Sequence, residues 1–352
     1  MRIEPINIRN ATERQYAAYN AFLNVMRAER LPDDPPIPLE EDMRRWRTIP
    51  SFLDLSVWIG AENEAVVAYA STTIQRVNEN RHMFEFGIEV HAAHRRRGIG
   101  TRLLDLVADL ARREERRLLI TSSRSTIPAA EGFLRRIGAT VGLETHTNQL
   151  DLKDLNRDLI QLWQARAKER AAGFEILLWT GGFPEEHLEQ FAELVGAMNR
   201  APRGTLQLED FRTTPEHLRQ WTTAMRERGI EHWTMVARER ATGRFAGFTE
   251  VTWHPNRPEI LSQEGTAVTA EFQNLGLGRW LKAAMLDKVL RERPQVKRVR
   301  TGNADSNAPM LKINYELGFR PYISQSAWQV ELSQVQAYLD SVRDTKLTPV
   351  EA

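Results

Sequence analysis

The run Val90-His91-Ala92-Ala93-His94-Arg95-Arg96-Arg97-Gly98-Ile99-Gly100-Thr101-Arg102-Leu103 decides the fold, because the chain contains it twice. The second copy is Val268-Thr269-Ala270-Glu271-Phe272-Gln273-Asn274-Leu275-Gly276-Leu277-Gly278-Arg279-Trp280-Leu281, 178 residues on, with the Val, both Gly and the last Leu in register. Thr121 to Gly138 and Thr301 to Gly318 match in length at an offset of 180, each span ending on an aliphatic residue and Gly. Pro38 to Trp46 resembles Pro215 to Trp221 at a looser offset. Several matches in the same order mark a repeat, and a repeat settles architecture ahead of local reading. At 352 residues the chain also exceeds what one hydrophobic core usually serves. Two related domains are expected, 1–150 and 173–352, with a charged, Leu-spaced helical connector over 151–172.

Around the first copy, an alternating strand (Ile3–Arg9) precedes a helix (Thr12–Glu29), a proline-rich break from Pro32 to Pro38 and a short helix (Leu39–Arg47). Strands rich in Val, Ile, Phe and Trp follow at Leu55–Gly60, Val66–Gln75 and Met83–Val90. After the turn come a helix (Thr101–Glu114), a strand (Leu118–Ser122), a helix (Pro128–Ile137) and a closing strand. The second half repeats the order: strand Glu175–Trp179, helices near Glu185–Met198 and Pro215–Arg228, and strands Trp233–Arg238, Phe245–Trp253 and Ile260–Val268. A helix (Arg279–Glu292), a strand (Val296–Thr301), a helix (Ala308–Leu317) and a strand (Tyr322–Val330) complete it, before a docking helix (Ser333–Arg343) and a frayed tail (Thr345–Ala352). The fold class is α/β (α+β), each domain a mixed, mostly antiparallel sheet flanked by helices.

Composition removes whole classes of chemistry. There is no cysteine, which excludes disulfides, thiolate metal sites and Cys nucleophiles. The 48 Lys and Arg balance 47 Asp and Glu, against a dedicated nucleic-acid surface. No apolar run approaches the ~20 residues of a membrane span, and the N-terminus MRIEPINIRN carries charge and Pro where a signal peptide is apolar. A cytoplasmic protein is expected. His91 and His94 lack a third ligand at sensible spacing, so no metal is expected. Trp179, Trp233 and Trp253 are read as sheet-packing residues rather than a cleft border.

Each glycine turn sits between a strand end and a helix start. Glycine there can adopt positive φ and admit a ligand close to the backbone, and the free N–H groups of the helix N-terminus suit a diphosphate. The spacing is neither the dinucleotide GxGxxG nor the P-loop GxxxxGK[ST].

The pattern is Arg/Gln-x-x-Gly-x-Gly, as Arg95-x-x-Gly98-x-Gly100 and Gln273-x-x-Gly276-x-Gly278, and it resembles the pyrophosphate motif of the GNAT acetyltransferase superfamily. Asn307-Ala308-Pro309-Met310 and Asn314-Tyr315-Glu316-Leu317-Gly318-Phe319 resemble that family's later motif. Two such units in one chain are similar to tandem acetyltransferases such as mycothiol synthase. The resemblance implies acetyl transfer from acetyl-CoA directly to an amine. It also implies cofactor contacts at Val90, Arg95, Arg96, Arg97, Gly98, Ile99, Gly100 and Thr101, and at Val268, Gln273, Asn274, Leu275, Gly276, Leu277, Gly278 and Arg279, with Asn303 and Asn307 toward the pantetheine end.

The implied base is a carboxylate on the fourth strand. Glu264 leads in the second domain; Glu85 and Glu89 are its counterparts in the first. Strict alternation puts Glu264 on the face of Val268 and the other two opposite Val90, an assignment that a bulge would reverse. Asn314 occupies the slot where many members carry a Tyr acid, and Tyr315 is about 100° round the helix from it. The first domain has Ile127 and Leu134 in place of Asn307 and Asn314, so the second is the expected catalytic unit. The acceptor is expected to be a small primary amine, with no nucleic-acid or membrane partner. The alternatives are a non-catalytic acyl-CoA-binding or regulatory protein and a protein or peptide acetyltransferase.

Overall fold

The computed structural model describes residues 1–347; of the expected tail Thr345–Ala352, residues 348–352 lie outside the described part. The elements run β1 (Arg2–Ile6), α1 (Glu13–Arg30), α2 (Leu39–Arg47), β2 (Leu53–Glu62), β3 (Ala65–Gln75), β4 (Met83–Val90), α3 (Ile99–Arg113), β5 (Leu118–Arg124), α4 (Pro128–Arg136) and β6 (Thr140–Asp151). They continue with α5 (Arg157–Arg170), β7 (Phe174–Thr180), α6 (Leu188–Val195), α7 (Pro215–Glu227), β8 (Glu231–Glu239), β9 (Phe245–Trp253) and β10 (Ile260–Val268). The last are α8 (Leu277–Glu292), β11 (Arg298–Ala304), α9 (Ala308–Leu317), β12 (Arg320–Glu331) and α10 (Leu332–Leu347). Among the described residues no helix is long and apolar enough to cross a membrane.

Two compact units result, and they are not the two halves of the sequence. Of the described residues, unit 1 holds Met1–Glu144, Arg203–Glu209 and 325–347; unit 2 holds Thr145–Pro202 and Asp210–Ser324. In unit 1 the strand order is β1-β2-β3-β4-β5-β12, and in unit 2 it is β7-β8-β9-β10-β11-β6. The closing strands are exchanged. Gln325–Glu331 of β12 pairs antiparallel with β5, and Thr145–Asp151 of β6 pairs antiparallel with β11. This corrects the expectation that each half closes its own sheet. The two strands bury nearly the same pattern of positions, so alternation alone does not say which neighbour each one takes.

The helix that follows each exchanged strand goes with it. Helix α5, expected as a connector, sends Ile160, Trp163 and Ala167 into the core of unit 2, against α8. Helix α10 sends Val335 and Leu339 into the core of unit 1, against α3. Arg203–Glu209 straps onto unit 1 through glycines. A Cβ on Gly204 would stand 2.0 Å from the carbonyl oxygen of Gly142, and one on Gly142 would stand 2.3 Å from Leu206. Thr205 N–H donates to that Gly142 carbonyl at 2.8 Å. Trp179 and Trp233 are buried in cores, as expected, and Trp253 donates its ring N–H to Pro258 O at 3.1 Å.

One core position breaks the repeat. Lys282 on α8 stands where α3 has Leu104, is 2 % exposed, and forms no ion pair among the described residues; its ammonium lies 6.0 Å from the ring centre of Phe319. Burial lowers its pKa to about 7. The unfolded chain therefore takes up this proton near the ordinary lysine value, whereas the fold takes it up only near 7. Stability consequently falls as pH drops across that window. Lys282→Leu is expected to raise stability by on the order of a few kcal/mol at pH 6 and by little above pH 10.5, as read from denaturant unfolding at both pH values.

Candidate functional site

The two turns have the same backbone. Arg95 and Gln273 both adopt φ −65° and ψ 161°. Arg96 and Asn274 follow at φ 63° and 65°, and Gly98 and Gly276 at φ 76° and 85° as N-caps of α3 and α8. No side chain caps either helix, so the first N–H groups are left for a ligand. A Cβ built on Gly98 or Gly276 meets nothing within 4 Å, so the space in front of each turn is open.

Beside each turn the sheet splits. The parallel ladder of β4 with β5 consists of Met83, Phe84 and Glu85 against Leu118, Leu119 and Ile120. That of β10 with β11 consists of Ile260, Leu261 and Ser262 against Arg298, Val299 and Arg300. Beyond these three pairs the strands diverge, and one edge of β4 and of β10 offers unpaired backbone groups to whatever enters. An extended arm with amide groups and an anionic end fits such a slot and turn.

The charge in the two turns differs. Arg95 donates to Val90 O at 3.0 Å and forms an ion pair with Glu29, whereas Arg96 and Arg97 are exposed and have no ion pair among the described residues. Thr101 Oγ1 lies 3.1 Å from the Tyr338 hydroxyl. In the second turn Gln273, Asn274 and Leu275 carry no charge, and Arg279 is taken by Glu316 at 3.1 Å while stacking on Trp163.

The carboxylates of the fourth strands stand on the sheet face opposite α3 and α8. In unit 1 the β3–β4 register runs without a shift, so Glu85 and Glu89 share that face. Glu89 forms an ion pair with Arg30, and burial still raises its pKa; beside it, burial raises the Tyr69 hydroxyl to about 12. Glu85 is exposed to solvent, and the protein around it raises its pKa as well.

In unit 2 the β9–β10 register shifts between Gln263 and Thr266. This bulge reverses the alternation expected from Val268. Val268 packs into the core under α8, whereas exposed Glu264 accepts from Thr252 Oγ1 at 2.8 Å on the other face. Three further residues on that face, Glu250, His232 and Thr234, were not read from the sequence. Glu250 on β9 accepts from His232 Nε2 at 3.0 Å and from Thr234 Oγ1 at 3.2 Å, both through Oε1. The available signal was a lone charged residue inside the otherwise uncharged strand Phe245–Trp253.

The asparagines form a buried chain. Asn314, fully buried, donates to Asn303 Oδ1 at 2.8 Å, and Asn148 on β6 donates to the same oxygen at 3.2 Å. The Oδ1 atoms of Asn314 and Asn148 are buried without a partner. Asn307 caps α9 through Met310 N at 3.4 Å, and the neighbouring Tyr315 is 42 % exposed. Of the two candidate catalytic residues at the slot of the family's Tyr acid, Asn314 is thus buried on α9 and Tyr315 lies at the surface. Among the described residues no three His, Asp or Glu side chains group as metal ligands; His94 contacts Glu62 and His91 caps its own turn at Ala93 N.

Set against known proteins, the profile of the acetyltransferase (GNAT) family matches residues 21–139 and 191–319. No curated protein sequence matches the chain. Among solved structures it is similar to a tandem GNAT protein from the clavulanic acid biosynthesis pathway, with TM-score 0.76, 24% identity, and 94% of this chain and 98% of that one covered. It is also similar to a GCN5-related N-acetyltransferase from Sphaerobacter thermophilus, with TM-score 0.65, 15% identity, and 94% and 96% covered. A third likeness is to a glucosamine N-acetyltransferase region of a fungal multi-domain β-N-acetylglucosaminidase (TM-score 0.61, 14% identity), covering 94% of this chain and 38% of that one. At these identities the structural likenesses speak for the fold.

Asn303 holds two buried amides at once. Asn303→Ala is expected to cost about 2–4 kcal/mol, since the Asn148 and Asn314 donors both lose their acceptor. Urea unfolding of the variant reads this directly.

Proposed function

Because the chain belongs to the GNAT acetyltransferase family, matched over both repeats, we propose that it is an acetyl-CoA-dependent N-acetyltransferase acting on a small primary amine, with unit 2 as the catalytic unit. The observation that carries this reading is the bulge in β10 beside the divergence of β10 from β11. A slot for an extended thioester and an exposed carboxylate on the acceptor face meet there.

Acetyl-CoA supplies the acetyl group as a thioester. The uncapped N–H groups after Gly276 would hold its diphosphate, and the unpaired edge of β10 would hold its amide arm. Glu264, bonded by a hydroxyl rather than a cation, takes the proton that the acceptor ammonium must lose before its nitrogen can attack. In unit 1 Glu89 is instead held in an ion pair by the Arg30 guanidinium, a partner that an incoming ammonium would have to displace.

One observation favours a second reading, in which unit 1 also turns over. Glu85 has its pKa raised and, among the described residues, no charged partner, and Arg96 and Arg97, exposed and without an ion pair there, would meet phosphate. Calorimetric titration with acetyl-CoA separates the two readings by stoichiometry, one site per chain for a division of labour and two for a pair of working units.

Gly276→Glu is expected to abolish the site in unit 2 through charge repulsion at the diphosphate, at a folding cost of about 1 kcal/mol for a side chain at positive φ. Retained affinity and stoichiometry in this variant would move the cofactor elsewhere. Glu264→Gln is expected to leave acetyl-CoA binding intact and lower kcat at least ~100-fold at neutral pH. That deficit should narrow as pH rises toward the amine's own pKa, where free amine no longer needs a base.

A further inference from the structure

Unit 2 contains a buried polar cluster that neither the turn nor the fourth strand accounts for. His232 is 4 % exposed, and its Nδ1 is buried with no partner. Its Nε2 donates to Glu250 Oε1, which also receives Thr234 Oγ1, so one carboxylate oxygen is fixed by two donors. The other, Oε2, has no hydrogen bond among the described residues and lies 3.6 Å from where a Cβ on Gly265 would stand. Gly265 belongs to the bulge of β10, and the same Cβ would press on the Phe248 ring at 3.1 Å. Glycine at this point leaves Oε2 uncovered beside the backbone at which the strands part. The surroundings are apolar: Phe183 packs edge-on against His232, and Phe191 against Phe248. A carboxylate in such a place, held by an imidazole and a hydroxyl and open on one oxygen, is arranged for proton transfer rather than for holding the fold together.

We propose that Glu250 is a second proton acceptor for acetyl transfer, with His232 and Thr234 as its positioning residues; this rests on the acetyltransferase reading of unit 2. An acceptor entering as an ammonium loses two protons in all. Glu264 takes the first, before attack. Once the nitrogen is bonded to the thioester carbon it still carries one proton too many, and Glu250 Oε2 takes it as the carbon–sulfur bond breaks. The electron pair of that bond leaves on sulfur, and the thiolate takes a proton from water. The products are the amide, the thiol and one proton released to solvent.

The test measures thiol release from acetyl-CoA with spermidine, glucosamine and tyramine, alongside acetyl-CoA calorimetry and thermal melting of each variant. Glu250→Gln, which preserves the shape of the side chain, is expected to lower kcat at least ~100-fold while acetyl-CoA affinity and melting stay near wild type. His232→Leu should lower kcat in the same way. His232→Gln, whose amide N–H can still donate to Oε1, should recover most of that loss. Gly265→Ala, which covers Oε2 without removing the carboxylate, should lower kcat on its own. A purely structural role would lower melting and leave the turnover of folded enzyme unchanged, and so would overturn the proposal. Wild-type kcat in folded Glu250→Gln or Gly265→Ala overturns the proposal while the acetyltransferase reading stands. A wild-type protein that neither binds acetyl-CoA nor acetylates any of the amines overturns that reading and the proposal with it.

Discussion

Two antiparallel ladders hold the clefts open. In each unit the fifth strand of the repeat, β5 or β11, is tied to its parallel neighbour by three residue pairs and then leaves it. A strand so weakly held on one side needs full pairing on the other. β12 supplies it to β5 over Leu118–Arg124, and β6 supplies it to β11 over Arg298–Ala304. The unpaired edge is thus maintained by a strand from the opposite end of the repeat, and each exchanged strand is anchored by the helix that follows it. Each unit therefore depends on residues that the linear repeat assigns to the other half.

Within that shared frame the units have diverged in how they use charge. Unit 1 concentrates arginine at its turn and pairs Arg30 with Glu89 and Arg95 with Glu29. Unit 2 has an uncharged turn from Gln273 to Gly278 and keeps the carboxylates of the face opposite α8 on hydroxyl and imidazole partners. A guanidinium occupies the carboxylate it pairs with, whereas a hydroxyl or an imidazole orients one of its oxygens. The bulge accompanies this difference, since the register shifts in β10 and runs straight through β4.

Several features the repeat did not disclose lie where one copy departs from the other at a buried position. Lys282 stands for Leu104, and Asn314 for Leu134. The asparagine is compensated by a chain of amides reaching Asn148, whereas the lysine has no ion pair among the described residues and its burial lowers its pKa.

The sequence by itself determined the repeat, the order of strands and helices, and the two glycine turns. These rest on local requirements: alternation in strands, apolar spacing in helices, and positive φ at Gly98 and Gly276. Only the tertiary structure decided which sheet each closing strand joins, because β6 and β12 present nearly the same buried pattern and either would satisfy the pairing rules. It alone decided the face of Glu264, since one extra residue in β10 inverts every side chain on one side of it and leaves no mark in composition. And it alone brought Glu250 to His232, residues 18 apart in the chain that become neighbours only when β8 and β9 pair.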